Sequence, residues 1–200
     1  MKMLSSTTFG IIILLAGMSL ISSVGAATVS TMTTGVTAIA AQPTLPEPVL
    51  KEIAKDAPNL ARRGEAAMRF IGLKVYDIRL WTAGMTHTYS EPFALELIYD
   101  LGFKGKDIAD RSVTEMRKQG YNDETKLKRW GEMMARIFPD IRKGDTLIGV
   151  SIPGKEIRFY TREKFIAAES DMEFAKAFFD IWLSEKTSEP KLRQRLLGLN

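Results

Sequence analysis

Two short runs of strict alternation constrain this chain more than any other feature, because they require a sheet. In residues 75–81 the side chains of Tyr76, Ile78 and Leu80 point one way and those of Val75, Asp77, Arg79 and Trp81 the other. In residues 93–99, Phe93, Leu95, Leu97 and Tyr99 oppose Ala94, Glu96 and Ile98. A period of two places successive side chains on opposite faces of a strand. Residues 82–92 between the runs hold Gly84, His87 and Pro92 and read as a loop, so the runs pair as a hairpin. Gly72 interrupts the apolar stretch 66–82 and marks a bend between two strand segments.

The period then changes. Ile108, Ala109, Val113 and Met116 recur at helical spacing, with Gly120 as a stop. Asn122 or Asp123 caps a second helix whose stripe is Leu127, Trp130, Met134 and Ile137, ended by Phe138-Pro139. Strands return at 145–152, 156–161 and 164–167, the first two joined by a turn at Pro153-Gly154-Lys155. Ser170 followed by Glu173 forms a capping box opening a helix that carries Met172, Ala175, Phe178, Phe179 and Trp182, and Pro190 starts a last short helix stopped by Gly198. Strands, two helices, strands, two helices predict an α+β open-faced sandwich: an antiparallel sheet with helices packed on one face.

Charge divides the chain. The first fifty residues hold one basic side chain, Lys2, and one acid, Glu47, against a total of 28 and 24. Lys2, the apolar run 9–21 and the small residues 22–27 follow the pattern of a secretory signal peptide, with cleavage expected after Ala26. An uncleaved anchor is the alternative, since about 20 apolar residues span a bilayer. Residues 27–50, rich in Thr, Ala and Pro, are expected to be a flexible leader, and 51–200 a single domain. The destination implied is periplasmic or secreted, with membrane contact only through the signal segment if it is retained.

Composition removes much chemistry. Cysteine is absent and His87 is the one histidine, so thiolate and multi-histidine metal sites are excluded. No metal or cofactor is expected, since Gly102-x-x-Gly105-Lys106 lacks the spacing of a phosphate loop. The net charge of +4 alternates in sign along the chain, which gives nucleic acid no footprint. His87, among Thr86, Thr88 and Tyr89, reads as a solvated loop residue, and Arg79 as the partner of Glu96 in an ionic network on the sheet. The methionines and aromatics Met116, Met134, Phe174, Phe178, Phe179 and Trp182 form a core that could also wall a lipophilic cleft.

Five stretches carry a resemblance to chalcone isomerase-like proteins exported by bacteria: residues 72–81, 93–99, 108–112, 138–145 and 174–183 with Leu196-Leu197-Gly198. The resemblance implies the open-faced sandwich already read from the element order. It also implies a catalytic set that this chain does not match, because the strand threonine falls at Ile71 and the late-helix threonine at Ile181. No tyrosine or asparagine occurs in 106–114, and only Arg62 or Arg63 stands for the family arginine. Cyclisation of a chalcone needs polar groups to hold the phenolate and enolate, so that activity is not expected and no catalytic residue is assigned. Relatives without the catalytic set bind fatty acids through an arginine and a tyrosine. By that resemblance Arg69, Tyr99 and Arg111 are the candidates for a carboxylate, an arginine fork and a phenol being suited to it. The resemblance thus implies a binder of a small lipophilic ligand in the sheet-helix cleft. An isomerase or lyase on another small substrate, or an envelope scaffold without ligand, are the alternatives.

Overall fold

The computed structural model describes residues 44–199; the expected signal peptide and the expected leader as far as residue 43 lie outside the described residues. Six strands run in sequence order across one sheet: β1 (Ala61–Phe70), β2 (Leu73–Thr82), β3 (Phe93–Tyr99), β4 (Thr146–Ile152), β5 (Glu156–Thr161) and β6 (Phe165–Glu169). Every neighbouring pair is antiparallel. The register of β2 on β3 sets Tyr76 against Tyr99, Ile78 against Leu97 and Leu80 against Leu95, so the two alternations share one apolar face.

Between β3 and β4 the chain makes α2 (Gly105–Lys118) and α3 (Glu124–Ile137), and after β6 it makes α4 (Met172–Leu183) and α5 (Pro190–Leu197). The base of the α2–α3 pair is closed by a two-way backbone bridge between Phe103 and Ile141, 2.9 and 2.8 Å. Gly105 opens α2 because a Cβ there would lie 2.0 Å from the Phe138 carbonyl oxygen. Asp123 caps α3 by accepting from the Thr125 and Lys126 amides. The cap of α4 is Asp171, one residue after the expected Ser170; its carboxylate takes the Glu173 and Phe174 amides, and it also accepts from the Trp130 Nε1–H, 3.0 Å. A carboxylate at this position completes the turn and complements the helix dipole more strongly than a hydroxyl.

The helices α2 to α5 bury the inner face of the sheet in one core. The outer face is not bare. Helix α1 (Glu47–Ile53) starts at a proline and lays Val49 and Ile53, with Leu45 and Ala57, on Trp81, Ala94, Ile148, Val150, Ile152 and Tyr160. The expected leader therefore ends earlier than residue 50: Leu45 onward belongs to the folded domain. Its apolar residues at 45, 49 and 53 are one helical turn apart, a stripe too short to register against the surrounding Pro/Ala/Thr composition. Beside α1 on the same face, Arg79 bridges Glu96 and Glu65, each at 3.5 Å, which is the ionic network expected from the alternation. Glu96 is almost fully buried, and that burial pushes its carboxyl above the ordinary range despite Arg79.

Candidate functional site between helices α2 and α4

The inner core is filled. Phe138, Phe159, Phe174, Phe178, Phe179 and Trp182 pack edge-to-face or tilted, with ring centroids 5.1 to 6.3 Å apart in their contacts. Edge-to-face packing satisfies the ring quadrupoles and leaves little free volume. The cavity found on the helical side lies instead between the end of α2 and α4, about 280 Å³, lined by Gln119, Gly120, Tyr121, Lys176, Asp180, Ser184 and Lys186. A second cavity of about 180 Å³ shares Gly120 and Tyr121 and runs to Leu127 and Trp130. The lipophilic cleft was expected between sheet and helices, whereas this polar cavity lies within the helical layer.

Asp180 organises it. This carboxylate sits in an otherwise apolar stretch, 178–183, and is 5% exposed. It accepts from the Tyr89 hydroxyl at 2.6 Å, the Tyr121 hydroxyl at 3.0 Å and the Lys176 ammonium at 2.6 Å. One side chain of α4 thereby holds the β2–β3 loop and the α2–α3 turn. Burial is the main cause that raises both phenols well above the usual tyrosine range, and bonding to an anion adds to it. Lys176 also lies 5.0 Å from the centre of the Tyr89 ring, within cation–π distance. Beside the carboxylate, Gln119 is 6% exposed and neither end of its carboxamide meets a hydrogen-bond partner among the described residues.

His87 is not the solvated loop residue expected. Its ring packs edge-on against Phe93 (4.5 Å) and Tyr89 (5.0 Å), and both nitrogens are buried without a partner. Desolvation lowers its pKa to about 4, so the ring is neutral at pH 7. Loop composition suggested exposure; the neighbours that bury the ring come from strand β3 and from Tyr89, which Asp180 holds in place.

The three residues implied by resemblance stand apart from this cluster. Tyr99 is buried at the end of β3, edge-on to Tyr76 at 5.6 Å and Phe103 at 5.9 Å, and burial raises its phenol strongly. Tyr76 in turn accepts from the Trp182 Nε1–H at 3.0 Å and is pushed up to about 12 by burial. Arg111 is exposed on α2 and pairs with Glu115 at 2.6 Å, a carboxylate that also takes Lys118 and the Ser188 hydroxyl. Arg69 lies at the far end of β1, where among the described residues its one hydrogen bond is to the Gly72 carbonyl at 3.5 Å. No hydrogen bond or ion pair joins any two of the three among the described residues. Ile71, where the family threonine fell, is in the β1–β2 turn rather than on a strand, and Ile181 is buried on α4. Among the described residues no three His, Asp or Glu side chains gather as a metal would require. Sequence reading passed over Gln119, Tyr121 and Asp180; a carboxylate isolated in an apolar helix was the available signal, since such a charge is buried only when it is paired.

A six-stranded antiparallel meander with four helices on its inner face defines the chalcone isomerase type of sandwich. A family model described as chalcone isomerase-like matches residues 52–198, and the chain belongs to that family. An uncharacterized protein of Haemophilus influenzae is 28% identical over 136 residues, covering 68% of this chain and 66% of that protein, just under two thirds of the relative's length. Among solved structures, a fatty-acid binding protein of Arabidopsis thaliana superposes with a TM-score of 0.55 at 10% identity, covering 72% of this chain and 90% of the plant chain.

Proposed function

We propose that the protein is a non-enzymatic binder of a small lipophilic molecule bearing an acid group, of the fatty-acid kind, acting after export to the periplasm or beyond the cell. The carrying observation is the buried, unpartnered Gln119 carboxamide in a cavity edged by Lys176, Lys186 and Tyr121. A buried amide left unpaired costs about 1–3 kcal/mol, part of which a ligand carboxylate would recover by accepting from its Nε2. Lys186 has no ion pair among the described residues, and Asp180 already occupies Lys176, so Lys186 supplies the free charge. The apolar part of the ligand would lie along Tyr121, Leu127 and Trp130 in the adjoining cavity. Longer chains would displace the flexible Met116 and Met134 of the core. The fold shared with a fatty-acid binding protein supports the same reading.

The test is native mass spectrometry of the protein recovered from the periplasm, then calorimetric titration of the delipidated protein with oleate. A bound acid in the first, and binding lost in Gln119→Leu and Lys186→Glu but kept in Arg69→Ala, supports this site. No co-purified acid together with no oleate heat refutes it. A second reading, proton-transfer chemistry of the isomerase or lyase class, draws on neutral His87 beside the Tyr89–Asp180–Tyr121 bonds. Turnover of a chalcone that disappears in Tyr121→Phe would favour it.

A further inference from the structure

We propose that the end of the sheet carrying the β1–β2 turn is a docking surface for an anionic lipid bilayer. The turn is a two-residue connection, Phe70 pairing with Leu73 across Ile71-Gly72. Both central residues have positive φ, 48° at Ile71 and 80° at Gly72. Gly72 fits this requirement, and asparagine or aspartate would fit the first position. A β-branched isoleucine is a costly choice there. Nothing inside the fold repays it, because Ile71 is 85% exposed, with Phe70 and Leu73 exposed at 51% and 50%.

The apolar tip has company. The Asp100 amide donates to the Val75 carbonyl at 2.9 Å, which brings the exposed Leu101 beside the start of β2. The β5–β6 turn opens at the same end and presents the exposed Phe165. Of the seven large apolar side chains exposed among the described residues, five therefore gather at one end of the sheet. Scattered exposed apolar residues need no explanation, whereas a gathered set marks an interaction surface.

Charge identifies the partner. At this end the acids are engaged: Asp77 and Asp100 by Lys74, Asp140 by Lys104, and Asp145 by the Arg142 amide. The Gly144 amide, donating to the Tyr99 carbonyl at 2.7 Å, draws the 142–144 turn alongside. Arg69, Arg142, Lys143, Arg162 and Lys164 form no ion pair among the described residues, against three such acids, Asp107, Asp145 and Glu163. An apolar wedge ringed by free cations suits acyl chains beneath phosphate head groups. The same ring repels a second copy of the chain, which makes tip-to-tip dimerisation the weaker use of this surface.

The chain has no cysteine, so a single label can be placed at will. The full chain carrying Ile71→Cys, labelled with an environment-sensitive fluorophore, is mixed with vesicles of phosphatidylcholine and phosphatidylglycerol in equal parts. Met85→Cys, exposed in the loop at the opposite end, is the control. A blue shift and quenching by brominated acyl chains at position 71 but not 85, weakened at least about tenfold by Arg142→Glu with Lys143→Glu, is the expected result. In unlabelled protein Ile71→Asn should weaken vesicle binding while holding or raising stability, which separates the effect from misfolding. Equal emission at 71 and 85 would overturn the proposal, as would a blue shift at 71 that needs no vesicles and follows protein concentration, the mark of self-association. Neither readout depends on a ligand in the α2–α4 cavity.

Discussion

Replacing Asp180 with asparagine tests whether one buried carboxylate holds the cavity wall together. The change keeps shape and removes charge. Both phenols now donate to an anion; asparagine offers one carbonyl oxygen and turns an amide toward the other hydroxyl. One bond is lost and leaves a buried hydroxyl unpaired, at about 1–3 kcal/mol, while the other falls from charge-assisted to neutral, at about 1 kcal/mol. The Lys176 partner is 56% exposed at its side chain, so its ion pair adds only about 0.5 kcal/mol. The expected loss is about 3 kcal/mol, read as a lower urea midpoint at unchanged slope by tryptophan fluorescence. Tyr89→Phe alone should cost about 1 kcal/mol, because Asp180 keeps two donors, and the double variant should be less destabilised than the sum by about 1 kcal/mol. Hydrogen exchange should locate the damage in residues 83–92 and at Tyr121. A loss under about 1 kcal/mol, or strict additivity with Tyr89→Phe, would refute the account of Asp180 as the common anchor.

The one histidine gives a clean pH signature. Its folded pKa of about 4 lies below the ordinary 6.5, so the unfolded chain takes up the proton first and stability falls as pH drops from about 6.5 to about 4, with no change above. Discounted for the ring's partial exposure, the loss is about 2 kcal/mol. His87→Phe, which keeps an aromatic ring against Phe93, should flatten that limb. The raised carboxyl of Glu96 acts in the opposite sense, its contribution being lost as pH rises through its folded value, so Glu96→Gln should steepen the limb rather than flatten it. In the packing of β1 on α5, a Cβ at Gly64 would fall 2.3 Å from the Arg195 carbonyl oxygen and 2.4 Å from that of Leu196. Gly64→Ala should therefore cost about 2–3 kcal/mol in thermal or urea unfolding, and a neutral result would show that α5 moves freely on the sheet.

The order of elements could be read from the chain because each period is local. Alternation through 75–81 and 93–99, the stripes of α2 to α4, and the stops at Gly120 and Gly198 are properties of residues near one another in sequence. Hence the antiparallel sheet and the helical layer are legible in the sequence. The Arg79–Glu96 pair was legible too, since adjacent strands of a hairpin put known faces side by side.

What composition and spacing could not decide was which side chains from distant segments meet. Asp180, Tyr89 and Tyr121 are separated by 59 and 91 residues along the chain in their two hydrogen bonds, and no period links them. His87 in a polar loop is buried by partners that only the folded chain supplies, and α1 gains its place by covering an outer face whose apolar stripe is shared among four strands. Ile71 reads in sequence as one more apolar residue of a strand; the turn geometry that leaves it exposed depends on where β1 and β2 close their register. Local periodicity determines secondary structure because hydrogen bonding and side-chain direction repeat along the backbone. The candidate sites depend on contacts between remote segments, and those exist only after the core has packed.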